Sequence, residues 1–127
     1  MFQIDFDLED TQEKEYKFPE DAKEGEPQAI LTIRPYPESM ANMIVRKIDN
    51  QDGVEMVLSK AEQKKAFIYA WIGAKDLVDK NGKEIKFTEK NKSLIFDFEH
   101  IWKTGIPAFV LSKSGALYLA KEEEEKN

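Results

Sequence analysis

The chain has no cysteine and a single histidine, His100, among its 127 residues. The lack of cysteine excludes disulfide frameworks, thiolate zinc sites and cysteine nucleophiles. A zinc site without cysteine needs several histidines, or histidine with carboxylates, so we expect no metal site. A catalytic triad would need His100 beside a serine in a glycine-flanked elbow, and no serine has such neighbours. We therefore interpret His100 as a structural residue.

Phosphate-binding glycine loops of the Gly-x-Gly-x-x-Gly or Gly-x-x-x-x-Gly-Lys-Ser/Thr type are also missing. One stretch partly fits a calcium loop, since Asp79 and Asn81 take the third and fifth positions when Gly82 takes the sixth. The first and twelfth positions are then Leu77 and Thr88, where acidic ligands are required. We expect a plain turn there. The sequence thus predicts no enzyme and no catalytic, cofactor-binding or metal-binding residues.

Long apolar runs are absent, and the longest, residues 106–111, is far below the roughly 18 residues of a membrane span. Residues 1–5 contain no basic region that would open a signal peptide. We therefore expect a protein of the bacterial host cytoplasm with no membrane partner.

The net charge of −6 is unevenly distributed along the chain. Residues 1–26 carry ten acidic and three basic residues, whereas residues 27–120 carry a net charge of +3. The lysines of this second part are dispersed and are not interleaved with aromatic residues, as a nucleic-acid-binding groove requires. We expect no nucleic-acid partner.

The length fits one domain, and 41% apolar residues suffice for one core. We predict a single α+β domain over 1–127, with a small N-terminal antiparallel sheet followed by three or four packed helices. Its β-rich part is 1–37, its mainly helical part is 38–120, and 121–127 is a frayed acidic tail.

Apolar and polar residues alternate over 2–8, which predicts a strand with one buried face. A short partner strand is predicted at 16–18 and ends before Pro19. Residues 19–27, with a proline at each end, are predicted to form a loop. The β-branched stretch 29–34 predicts the next strand.

Helical periodicity begins at Ser39, where an apolar stripe is formed by Met40, Ile44 and Ile48. A capping-box pattern at 59–62 predicts a second helix, closed by Gly73. Its apolar face is formed by Phe67, Ile68, Trp71 and Ile72. We interpret Trp71 as a buried core anchor.

A third helix is predicted to begin at the N-cap Thr88, after a turn at Asn81-Gly82. One face of it is formed by Leu94, Phe98, Ile101 and Trp102. The segment 108–120 fits either a helix or a hairpin about 112–115, and its run into a glutamate-rich end favours the helix.

The stretch 70–91 contains a Trp-x-Gly segment, an Asn-Gly turn and an apolar-polar-aromatic-Thr step that leads into a helix. These elements are Trp71-Ile72-Gly73, Asn81-Gly82, Ile85-Lys86-Phe87-Thr88 and Glu89-Lys90-Asn91. The pattern resembles that of small tail assembly chaperones and minor tail proteins of tailed phages and prophages. The acidic N-terminal arm and the glutamate-rich end are not part of this resemblance.

The resemblance implies an α+β domain that binds a protein partner, either the helical tape-measure protein or the tail-tube subunit. One hypothesis is a chaperone-like assembly factor that shields apolar segments of this partner and self-associates. The alternative is a structural tail or connector subunit of the virion. The first hypothesis needs an exposed apolar patch. The candidates for this protein-binding patch are Ile106, Phe109, Val110 and Leu117, unless these residues pack onto the sheet.

Overall fold

The computed structural model describes residues 13–37 and 59–126, with side chains up to residue 120. Within these ranges the chain forms a three-stranded antiparallel sheet and four helices, which confirms the predicted α+β class. The elements are β1 (Lys14–Phe18), β2 (Ala29–Ile33), α1 (Lys60–Ala70), β3 (Trp71–Lys75), α2 (Glu89–Asp97), α3 (Glu99–Trp102) and α4 (Ile106–Lys126). The predicted strand at 2–8 and the predicted helix that begins at Ser39 lie outside the described residues.

The sheet has the order β1-β2-β3, and both neighbouring pairs are antiparallel. In the central strand β2, Ala29, Leu31 and Ile33 are buried and the residues between them are half-buried. This alternation follows from the two faces of a strand, of which one covers the core. β1 pairs Tyr16 with Leu31, so the two predicted strands and the loop at 19–27 between them are confirmed.

Helix α1 begins at the predicted capping box, where Ser59 Oγ accepts a hydrogen bond of 3.2 Å from Glu62 N. The predicted extension of this helix through Ile72 to Gly73 is wrong. α1 ends at Ala70, and the chain continues directly as β3. Trp71, the first residue of β3, is fully buried, so its predicted place in the core is confirmed.

Arg34 stabilises the change from helix to strand by donating hydrogen bonds to the end of α1. The last carbonyl groups of a helix have no intrahelical donor and need partners from elsewhere. Arg34 Nε donates to Tyr69 O at 2.8 Å, and Arg34 N donates to Ala70 O at 2.9 Å. The guanidinium also lies 3.7 Å from the centre of the Tyr69 ring. The residue after β2 therefore holds the end of α1 against the sheet.

Lys92 of α2 supplies the other donor at this junction. Its ammonium Nζ donates to Ile68 O at 2.9 Å and to Trp71 O at 3.0 Å. Burial is the main cause that lowers the pKa of Lys92 from its ordinary value. A half-buried lysine from another helix thus provides hydrogen-bond donors for carbonyl groups at the end of α1.

We expect Lys92→Met to lower the free energy of unfolding by about 1–3 kcal/mol, because two carbonyl groups lose their donor. Lys90→Met is the matched control, since Lys90 is exposed on the same helix. The control should change the free energy of unfolding by less than about 0.5 kcal/mol. Urea denaturation followed by circular dichroism measures both values. Equal effects of the two substitutions would mean that the Lys92 bonds do not stabilise the junction.

The turn before α2 is organised by hydrogen bonds to the Asp79 carboxylate. Asp79 Oδ1 accepts hydrogen bonds from Asn81 N at 2.8 Å and from Lys83 N at 3.0 Å. Gly82 has a φ of +79°, which glycine adopts without strain. The predicted turn at Asn81-Gly82 is confirmed.

Helix α2 begins at the predicted N-cap, where Thr88 Oγ1 accepts a hydrogen bond of 3.1 Å from Asn91 N. Ile95 is its buried residue, and the helix ends at Asp97. The short helix α3 follows after Phe98 alone. The predicted third helix is therefore two helices with a bend between them.

Helix α4 runs from Ile106 to Lys126, which decides the segment 108–120 in favour of the helix. It also continues through the glutamates of the C-terminal end. Fraying of the predicted tail at 121–127 stays a prediction, and the backbone of residues 121–126 is helical. Glutamate and lysine are strong helix formers, and this propensity favours continuation of the helix.

Candidate protein-binding surface

The four residues predicted to form a binding patch all lie on α4, between Ile106 and Leu117. Three of them are buried in the core: Ile106, Val110 and Leu117. The fourth, Phe109, is half-buried. The Phe109 ring packs edge-on against Phe18 of β1, with ring centres 4.9 Å apart. The prediction of an exposed patch at these positions is wrong, and the alternative that they pack onto the sheet and the core is confirmed.

Two hydrogen bonds explain why this face of α4 is buried. Ser114 Oγ, fully buried, donates to Arg34 O at 2.6 Å. Tyr36 Oη donates to Leu111 O at 2.6 Å. Burial raises the pKa of the Tyr36 phenol, so its hydroxyl stays protonated and able to donate. The segment after β2 therefore fixes α4 against the body of the domain.

The large exposed apolar side chains of α3 and its N-cap form a cluster that we call the apolar knuckle, consisting of Phe98, Ile101 and Trp102. They are 39%, 60% and 50% exposed, respectively. The sequence predicts that these residues share one face of a single helix with Leu94, and that prediction is wrong because the helix is interrupted at Phe98. Phe98, with φ −101° and ψ 12°, lies outside the helical region between α2 and α3, so the helical periodicity of α2 does not carry over to α3.

The apolar knuckle is held by stacking and by a fixed loop. The rings of Phe98 and Trp102 are stacked, with centres 5.2 Å apart and planes at 22°. The Glu99 carboxylate accepts hydrogen bonds of 2.6 Å from Thr104 Oγ1 and from Gly105 N. Aromatic side chains held in one arrangement lose little conformational entropy on binding, and for this reason they are typical interface anchors.

A mostly apolar groove with a volume of about 880 Å³ lies beside the apolar knuckle, between α1, α4 and the α2–α3 bend. Its small lining residues are Ala61, Ala108, Gly115 and Ala116. Its larger apolar lining residues are Phe96, Pro107, Leu111 and Leu119. Binding pockets in proteins have volumes of roughly 300–1,000 Å³, so the groove can take several side chains of a partner.

Charged residues of both signs line the rim of the groove. Lys60 and Lys64 of α1 contribute the positive charges, and Asp97 and Glu99 contribute the negative charges. Lys64 Nζ and Asp97 Oδ2 form an ion pair of 2.9 Å. In the described part of the chain no lysine or arginine forms an ion pair with Glu99. Among the described residues, the Glu99 carboxylate is therefore held by the hydrogen bonds from Thr104 and Gly105 and not by a cation.

The groove contains a histidine and a serine, but they are not linked. His100 and Ser112 both line it, and none of the hydrogen bonds between described residues joins them. Among residues 13–37 and 59–126, no group of three or more histidine and acidic side chains could hold a metal ion. An apolar groove with a polar rim has the anatomy of a protein interface.

Comparison with protein-family models, with curated proteins and with solved structures found no match for this chain. In the described ranges, no helix combines the length and the hydropathy that a bilayer span requires. The fold and the site define a small α+β domain in which an apolar groove and the apolar knuckle lie side by side.

Proposed function

We propose that this protein is a non-enzymatic, chaperone-like protein that binds a tail protein during the assembly of a phage or prophage tail. The observation that carries the proposal is the mostly apolar groove of about 880 Å³. Monomeric proteins rarely leave large apolar surfaces uncovered, so such a groove is typical of a site for a partner. The tail-module resemblance of residues 70–91 supports the tape-measure protein or the tail-tube subunit as that partner.

The groove suits an amphipathic helix of the partner. It lies between helices, and its four small lining residues allow a helix axis to approach closely. Recognition of a helix in a groove uses apolar anchors at positions i, i+3, i+4 and i+7 of the bound segment. The charged residues at the rim then meet the polar flanks of the helix.

The alternative is a structural tail or connector subunit of the virion. The exposure of Ile101 and Trp102 favours it, because a permanent assembly contact would cover these side chains. In this alternative the partner is another subunit of the particle, and binding survives after assembly is complete.

We expect the protein to retain the tape-measure protein of the same phage or prophage in a co-expression pull-down. Ala116→Trp should weaken this binding at least about tenfold, which corresponds to about 1.4 kcal/mol, because the indole fills the groove. Ala120→Trp is the matched control, since it makes the same change at an exposed position of α4 that does not line the groove.

The two variants separate the groove from other causes of lost binding. If Ala116→Trp and Ala120→Trp bind the tape-measure protein equally well, the groove is not the site. If the wild type retains neither the tape-measure protein nor the tail-tube subunit, the chaperone-like function is wrong and the structural subunit is favoured.

A further inference from the structure

We infer that the helix bound in the groove carries an acidic residue on its polar flank, and that Lys60 at the start of α1 recognises this residue. This specificity rests on the proposed function, because it defines which amphipathic helices of a tail protein the groove accepts. It adds a charge to the description of the partner and gives one lysine of this chain a role in selecting it.

Three of the four charged side chains that line the groove are already engaged within the domain. The ammonium of Lys64 and the carboxylate of Asp97 neutralise each other in their ion pair of 2.9 Å. Both oxygens of the Glu99 carboxylate accept hydrogen bonds of 2.6 Å, one from Thr104 Oγ1 and the other from Gly105 N. A partner that took over these groups would first have to break contacts that hold the domain together.

Lys60 is the fourth charged side chain, and it has no such contact. It lines the groove and is exposed. No carboxylate among residues 13–37 and 59–126 forms an ion pair with its ammonium group. Lys64 lies one helical turn further along the same face of α1, and its charge is balanced by Asp97. The α1 wall of the groove therefore carries one positive charge in excess.

This excess charge determines which helix fits the groove best. A helix that enters the groove removes water from the rim beside Lys60. A neutral flank would leave the ammonium group without an acceptor, and a basic flank would repel it. An aspartate or glutamate of the partner instead forms a charge-assisted hydrogen bond with it. The occupant is therefore an amphipathic helix whose apolar stripe enters the groove and whose flank along α1 is acidic.

The test is the dissociation constant for the tape-measure protein of the same phage or prophage, measured by biolayer interferometry with charge variants. Lys60→Glu should raise this constant at least about tenfold, because two carboxylates then face each other. Lys60→Met should raise it about two- to fivefold, which is the usual effect of losing an exposed ion pair. Glutamate in the first turn of a helix interacts favourably with the helix dipole, so Lys60→Glu should fold.

Lys65→Glu is the matched control, since it makes the same change of charge at an exposed position of α1 that does not line the groove. It should change the dissociation constant by less than about twofold, because solvent and salt screen a charge at that distance from the partner. If circular dichroism shows Lys60→Glu to be unfolded, Lys60→Met decides in its place.

The outcomes separate this specificity from the proposed function. If the wild type binds the tape-measure protein and the Lys60 variants bind it equally well, the role of Lys60 is wrong and the proposed function stands. Equal losses in Lys60→Glu and Lys65→Glu also overturn the role of Lys60, since only the net charge then matters. A wild type that binds neither the tape-measure protein nor the tail-tube subunit overturns both.

Discussion

Trp71→Ala should lower the free energy of unfolding by roughly 3–5 kcal/mol, because it removes a large, fully buried side chain and leaves a cavity. The indole ring packs against Phe67 and Phe87, with ring centres 5.5 and 5.1 Å apart. Its Nε1 donates to Gly73 O at 2.9 Å, so this hydrogen bond is lost as well. Thermal unfolding should shift to lower temperature by roughly 10–25 °C.

The second tryptophan of the chain is the matched control for this prediction. Trp102 is 50% exposed, so Trp102→Ala removes the same side chain with little loss of burial. We expect the free energy of unfolding to fall by less than about 1 kcal/mol in this variant. Equal losses in the two alanine variants would contradict the buried position of Trp71 at the start of β3.

Features that depend on neighbouring residues could be predicted from the sequence. The alternation of buried and half-buried residues in β2 follows from the pleat of a strand. The N-cap side chains of Ser59 and Thr88 each accept a hydrogen bond from the backbone amide three residues ahead. The turn at Asn81-Gly82 has the same local origin. In each case the residues that determine the conformation lie within a few positions of one another, so the pattern alone is sufficient.

The end of α1 could not be predicted because it depends on distant residues. The apolar spacing of Phe67, Ile68, Trp71 and Ile72 fits a helix, and nothing local stops the helix at Ala70. The donors for its last carbonyl groups come from distant residues. Arg34 bonds the carbonyl of Tyr69, 35 positions away in the sequence, and Lys92 bonds the carbonyl of Ile68, 24 positions away. The strand β3 then forms because β2 offers an edge to pair with.

The site was mispredicted for a related reason. Periodicity shows that a helix has an apolar face, but it does not show whether that face meets the core or the solvent. The face of α4 with Val110 is covered by the body of the domain, whereas Ile101 of α3 is left exposed by the bend at Phe98. Asp97, a weak helix former, and Glu99 in a first helical turn are the local signs of that bend.

Val110→Asp should prevent folding, with a loss in the free energy of unfolding above about 4 kcal/mol. Val110 is fully buried in the core, and an uncompensated carboxylate there loses its hydration without gaining a partner. Domains of this size are stable by only about 5–15 kcal/mol, so the loss removes most or all of the margin. Far-ultraviolet circular dichroism and the sharpness of thermal unfolding measure the effect.

Ile101→Asp makes an equivalent change on the apolar knuckle and should leave the domain folded, because Ile101 is 60% exposed. The pair of variants decides which helix offers apolar surface to a partner. An unfolded Val110→Asp beside a folded Ile101→Asp places α4 in the core and leaves α3 for contacts with other chains. A Val110→Asp variant that folds like the wild type but no longer retains a tail protein would instead return the binding patch to Ile106, Phe109, Val110 and Leu117.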